Sequence, residues 1–264
     1  WMGHFSVTDA ARGEFLSAER ISRDGLELAG NASDPYRLWV EDWSAEAAQA
    51  EPFPLRLRAG IDAAAIDLTV RPTRSPVAQG DRGLDRKGPE PGNASYYYSL
   101  PRLEASGELR LRESHHAVSG HVWMDREWSS NALGDDLAGW DWLSLSLTDG
   151  RDLVVYRLRT HDGGSSPFSG GSLATADGRV RALASDDIVF VAREHWTSPA
   201  TGVRYPIAWD VQLPGERVEL EVRALIPNQE MNLSVRYWEG AVVAAGSSGD
   251  RRIEGRGYLE LTGY

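Results

Sequence analysis

The stretch WLSLSLTDGRDLVVYRLRT, residues 142–160, decides the fold class. It reads as two β-strands joined at Asp149-Gly150, since Asp-Gly supplies the backbone freedom that a tight hairpin needs. SLATADGRVRALA, residues 172–184, repeats the device at Asp177-Gly178. Around these hairpins, apolar and polar residues alternate, which puts one class on each face of a strand. In RVELEVRAL (217–225), Val218, Leu220 and Val222 share one face, and Arg217, Glu219, Glu221 and Arg223 share the other. GELRLRE (107–113) does the same with Leu109 and Leu111. No long amphipathic helix is evident, although SAEAAQAE (44–51) has room for a helical turn or two before Pro52. Short strands between regularly spaced turn signals predict an all-β sandwich or barrel.

The chain has 264 residues, enough for one large domain or two ordinary ones. A faint repeat favours two. DLTVR (67–71) resembles ELEVR (219–223), and YSLPRLEASG (98–107) runs parallel to YWEGAVVAAG (237–246). GHVWMD (120–125) then resembles GRGYLE (255–260), which matches Trp123 with Tyr258 and Asp125 with Glu260. Three matches in one order predict two similar β-domains, 1–130 and 131–264. The Pro-, Gly- and charge-rich segment 72–94 is then an insertion in the first copy, expected as a surface loop, as is the Gly/Ser-rich segment 161–172.

Composition excludes several classes. The net charge of −11 argues against nucleic acid or an anionic membrane surface as partner. There is no cysteine, which removes disulfides, thiolate catalysis and Cys-ligated metals. No apolar run is long enough for a transmembrane segment. No signal peptide is visible; the chain opens at Trp1 in mid-pattern, and the natural start is expected upstream. No nucleophile elbow, phosphate loop, dinucleotide fingerprint or His-Glu-x-x-His motif is present, so neither metal nor cofactor is expected. Lys87 is the one lysine; every other basic residue apart from histidine is arginine.

Carboxylates and aromatics remain, with 10 Trp and 9 Tyr against 5 Phe. Trp and Tyr combine a large apolar body with a polar tip, which suits either a β core or the lining of a lipophile cavity. GHVWMDREWSS (120–130) concentrates both kinds of residue. On a strand His121, Trp123, Asp125 and Glu127 point one way, and Val122, Met124, Arg126 and Trp128 the other. If the first face looks into a barrel, burial raises the carboxyl pKa values and neighbouring acids separate them further. A neutral carboxylic acid beside an indole can protonate an alkene and stabilise the resulting cation. The other reading has Asp125, Arg126 and Glu127 pairing among themselves or with backbone groups at a barrel mouth.

HFSVTD (4–9), YYYSLPRL (96–103), VSGHVWMDREWSS (118–130), GWDWLSLSLTDG (139–150), TSPATGVRYPIAWDVQLP (197–214), NQEM (228–231), YWEGAV (237–242) and GRGYLELTGY (255–264) follow one another as in a known family. Over essentially its whole length the chain resembles the AttH-like and hydroxyneurosporene-synthase-like (carotenoid 1,2-hydratase) proteins, whose bacterial relatives are often named predicted secreted hydrolases. The resemblance implies two lipocalin-like antiparallel β-barrels. It also implies an upstream segment with a Glu-Trp-Trp-Tyr motif, so the first barrel is expected to be incomplete at its start. It further implies a hydrophobic small-molecule ligand such as an isoprenoid, a polyene or a lipid. A periplasmic or secreted location and association with an ABC transporter are implied as well.

The expected activity is cofactor-free hydration of a double bond. Asp125 is the expected general acid, and Glu127 or His121 orients water. Trp123 and Trp128 are expected to stabilise the cation, and Tyr98, Trp142, Glu230, Tyr237, Trp238 and Glu239 are further candidates for ligand binding. Glu260, near the C-terminus, is expected to be structural. A non-catalytic lipophile carrier and a pericyclase-like protein are the competing classes.

Overall fold

The computed structural model describes residues 1–129 and 133–264; the expected domain boundary at 130/131 lies outside the described residues. The described strand pairings are antiparallel. Helical structure among the described residues is limited to the 3-10 turns Ser185–Asp187 and Pro214–Glu216. The protein is therefore all-β, built of curled antiparallel sheets as expected. No helix among the described residues is long and apolar enough to cross a membrane. The helical turn allowed at 44–51 does not form. Trp43–Glu46 is a strand paired with Leu55–Ile61, and the buried Trp43 donates its indole N–H to Gly60 O at 2.9 Å.

The chain divides into two compact units that interleave in sequence. The first comprises Trp1–Asp9, Glu14–Ser75 and Leu100–Met124; the second comprises Ala10–Gly13, Pro76–Ser99 and Asp125–Tyr264. In the first, antiparallel neighbours run from Ala29–Ser33 through Tyr36–Val40, Trp43–Glu46, Leu55–Ile61 and Ala64–Arg71 to residues 104–111. Phe5, Ala29, Val40, Trp43 and Ala64 form its core.

In the second unit the strand order is Val180–Ala184, Gly170–Ala174, Asp152–Thr160, Leu137–Leu147, Arg251–Thr262, Arg236–Ser248, Val218–Ala224, Arg204–Leu213 and Val189–Thr197. Leu183 and Leu173 from one edge meet Trp209 and Val211 from near the other in a single apolar cluster, so the sheet is rolled upon itself. Along Leu137–Leu147 the odd residues Leu143, Leu145 and Leu147 enter this cluster, and Trp140 and Trp142 take the opposite face. Its neighbours follow the same rule. Leu259 and Leu261 are buried in the cluster beside Trp238 and Val242, which turns Tyr258, Glu260 and Glu239 to the other side. Each such buried aliphatic side chain contributes about 1.5–3 kcal/mol. A slip of one residue would exchange the leucines with the tryptophans and glutamates, so the core also fixes the register of the face behind it.

The second and third matches of the sequence repeat fall on long hairpins, Ala94–Leu111 with Ser114–Ser129 and Arg236–Ser248 with Arg251–Thr262. Segment 72–94 is more than the surface loop expected from its composition. Val77–Ala78 and Leu84–Arg86 are short strands paired with residues 94–99, and Gln79, Asp85 and Asn93 are buried. Gly80, at φ +58°, permits the tight turn between them; a Cβ there would lie 2.4 Å from Leu84 O.

Candidate functional site: a carboxylate cluster bounded by indoles and phenols

The alternation expected at 120–130 holds where the strand enters the second unit. Asp125 accepts hydrogen bonds from Ser99 Oγ at 2.6 Å and Tyr97 Oη at 3.1 Å. Glu127, two residues on, accepts from Ser95 Oγ at 2.5 Å. Ser95, Tyr97 and Ser99 are the alternate residues of SYYYS, so one face of each strand supplies the whole set. On the other face Trp128 stacks on Tyr96 at 5.6 Å between ring centroids and meets Tyr98 edge-on at 6.2 Å.

The cluster continues on the outer face of the rolled sheet. Trp142 donates its indole N–H to Tyr97 Oη at 3.0 Å, which completes a chain Trp142–Tyr97–Asp125. Trp142 sits directly across from Glu260, and Glu260 directly across from Glu239. Two carboxylates placed opposite each other on neighbouring strands repel. Trp140 donates its indole N–H to Glu260 Oε1 at 2.8 Å, and Tyr258 Oη donates to Glu239 Oε2 at 3.3 Å. Burial first, and then the charges of Glu239, Asp125 and Glu127, push the Glu260 carboxyl up to about 8, against the smaller opposing effect of the Trp140 hydrogen bond. Glu260 is therefore mostly protonated at neutral pH. Tyr97 is nearly fully buried; burial and the adjacent Asp125 push its phenol well above the usual range, so it stays a hydrogen-bond donor.

Two local features hold this face in place. Gly257 lets its strand approach the next one closely, since a Cβ there would fall 1.7 Å from Ser144 O. The buried Gln229 of NQEM plugs the strand on the other side. Its Nε2 donates to Ile226 O and Ala241 O, both at 3.1 Å, and its Oε1 accepts from Ala241 N at 2.8 Å.

Segment 72–94 supplies a cation. Lys87 Nζ donates to Asp85 Oδ2 at 2.6 Å and lies 3.2 Å from Glu127 Oε1. Tyr156 Oη donates to Asp85 Oδ1 at 2.7 Å. Among the described residues no group of three His, Asp or Glu is arranged to hold a metal ion.

The candidates named from sequence are thus partly brought together. Asp125, Glu127, Trp142 and Glu239 contribute to this cluster. His121 is exposed and Trp123 half-buried, and both belong to the first unit. Trp128 and Tyr98 share the other face of their hairpin. Trp238 is fully buried with its N–H on Pro227 O at 2.9 Å. Glu230 is buried under the hydroxyls of Ser198, Thr201 and Tyr205. Tyr237, on the Glu239 side of its strand, is half-buried. Sequence reasoning does not single out Tyr97, Trp140, Lys87 and Asp85, which the structure sets beside these; Glu260, expected to be structural, lies in the same cluster. A signal for Glu260 was present, because the repeat aligns it with Asp125.

A neutral carboxylic acid, a carboxylate already accepting two hydrogen bonds and two indoles are thus linked in one cluster. Such a set can deliver a proton at one point, accept one at another and stabilise positive charge between them. The fold is that of a lipocalin-like all-β protein with a carboxylate cluster on the outer face of its rolled sheet. The AttH-like family model matches residues 1–264, and the chain belongs to that family. The crystal structure of an AttH-type protein of Nitrosomonas europaea superposes with a TM-score of 0.88 at 32% identity, over 100% of this chain and 80% of that one. Kievitone hydratase of Nectria haematococca shares the fold with a TM-score of 0.83 at 17% identity, over 99% of this chain and 79% of that one. Dehydratase asqC of Emericella nidulans is 23% identical over 217 residues, 78% of this chain. The chain spans 60% of the length of that curated relative. A protein named for removing water is thus similar to it in sequence, and one named for adding water shares its fold.

Proposed function

We propose that this protein catalyses the cofactor-free addition of water to, or its removal from, a carbon–carbon double bond of a hydrophobic small molecule, of isoprenoid or polyene type. The observation that carries this reading is the Glu260 carboxyl, pushed up to about 8 and linked across the sheet to Asp125 through Trp142 and Tyr97. In the hydration direction Glu260 gives its proton to one alkene carbon, and the electron pair of the double bond forms the new C–H bond. Trp140 and Trp142 stabilise the cation left on the other carbon. Water, oriented by Glu127, attacks that carbon and loses a proton to Asp125. Return of protons through solvent restores both acids, and dehydration runs the same steps backwards. The sequence assigns the acid role to Asp125; the two donors converging on that carboxylate support the acceptor role instead. The family resemblance supports a periplasmic or secreted location and an ABC-transporter partner, which fractionation and co-purification from the native cell test.

The decisive experiment incubates the protein in H2-18O with a mixed lipid and isoprenoid extract, alongside Asp125→Asn and Glu260→Gln, with products identified by mass spectrometry. An 18O-labelled alcohol made only by the unaltered protein is the expected result. Unlabelled but selectively retained lipophile would overturn the hydratase reading in favour of a carrier.

A further inference from the structure

Lys87 stands apart chemically. It is the one lysine in a chain that otherwise uses arginine, and it is more enclosed than the arginines of the surface ion pairs. Arg56 with Asp67 and Arg193 with Asp210 are ion pairs on the surface, where water screens the attraction. The Lys87 side chain is 12% exposed and that of its partner Asp85 only 4%. Its ammonium lies 4.6 Å from the ring centroid of Tyr156 and 5.5 Å from that of Tyr97. A compact ammonium fits over two rings and between two carboxylates; the wider planar guanidinium presents its donors in a fixed fork.

The two carboxylates are not equivalent. Asp85 is held by Tyr156 Oη and by burial. The Glu127 side chain is 41% exposed, with Ser95 Oγ as its other hydrogen-bond partner. A fixed anion on one side of the ammonium and a freer one on the other make Lys87 a tether. The same ammonium also lies over Tyr97, whose phenol donates to Asp125. We infer that Lys87 is a positioning residue: anchored on Asp85, its ammonium holds the Glu127 carboxylate, with Ser95, beside Asp125 in the orientation that water addition needs. This rests on the hydration reading for its kinetic consequence but not for its geometry. Misplacing a reacting group by about 1 Å costs about 10²-fold in rate.

The single lysine makes the tether directly observable, since protein labelled with 15N-lysine gives one Nζ resonance. That resonance is expected to be protected from solvent exchange and to move in Glu127→Gln and in Asp85→Asn. In turnover, Lys87→Met is expected to lower kcat by about 10²-fold with KM changed by less than about threefold, and Lys87→Arg to leave the loss unrescued. Glu127→Gln should reproduce that loss, and the double variant should add less than about twofold to it, as residues acting through one another do. A Lys87→Met variant with kcat within about twofold of the unaltered protein, or a rapidly exchanging Nζ signal indifferent to Glu127→Gln, would overturn the inference. The resonance is read without substrate, so it stands or falls separately from the hydratase reading; it also decides the matter if Lys87→Met does not fold.

Discussion

Glu230 and Glu260 are carboxylates set among protein atoms in the same unit, and their surroundings are opposite. Glu230 is buried beneath three hydroxyl donors, Ser198, Thr201 and Tyr205, the last two at 2.7 and 2.9 Å. Its side chain ties the 198–205 loop to the strand Glu230–Asn232. Glu260 receives one indole N–H and faces Glu239 directly across the ladder. The first carboxyl is enclosed by hydroxyl donors; the second is placed where charge is disfavoured, and it keeps its proton. A satisfied buried acid holds structure together, whereas an acid opposed by other acids is available for proton transfer.

This contrast can be broken by exchange of function. Glu260→Gln should cost about 10²–10⁴-fold in turnover, the range for loss of a general acid, with the fold intact by circular dichroism. Glu230→Ala should do the reverse. It strands three hydroxyl donors, each orphaned buried donor costing about 1–3 kcal/mol, and denaturant titration should show the loss while any activity of the folded fraction persists. Tyr97→Phe falls between them. It leaves the Trp142 indole without its acceptor and Asp125 without one donor, and should destabilise by about 1–3 kcal/mol.

A subtler test uses pH. Glu260 binds its proton more tightly in the folded chain, at about 8, than in the unfolded chain, near 4.5. Its contribution to stability is therefore fully present below about 4.5 and is lost as the pH rises through about 8. Glu260→Gln should match the unaltered protein in melting temperature in acid and exceed it above that upper value. Turnover in the hydration direction should fall over the same alkaline limb. Tyr258→Phe removes the long hydrogen bond to Glu239, and should cost about 0.5–1 kcal/mol by the same titration.

The strands were legible in sequence because alternation is a local signal that burial then obeys. Val218, Leu220 and Val222 are buried as the pattern requires, and Asp149-Gly150 and Asp177-Gly178 turn the hairpins expected of them. Asp125 and Glu127 on one face and Trp128 on the other followed from the same rule. The rest of the site depended on partners distant in sequence. Nothing local distinguishes Tyr97 from Tyr96 or Tyr98; its role comes from register against Asp125 and from Trp142. Lys87 and Asp85 were hidden in a segment whose prolines and glycines signal a loop. Those residues shape two short strands that return against 94–99 and bury Asp85. Composition describes how freely a segment can turn; it does not describe what the turned segment lands on.

The hydrogen bond from Trp140 to Glu260 has an optical consequence. The indole lies 2.8 Å from a carboxyl whose charge changes near pH 8, so its excited state experiences a different local field on either side of that point. One of the ten tryptophans should therefore change its emission as Glu260 ionises. The protein thus carries its own fluorescent reporter of the Glu260 charge, with Trp140→Phe as the variant in which the signal goes dark.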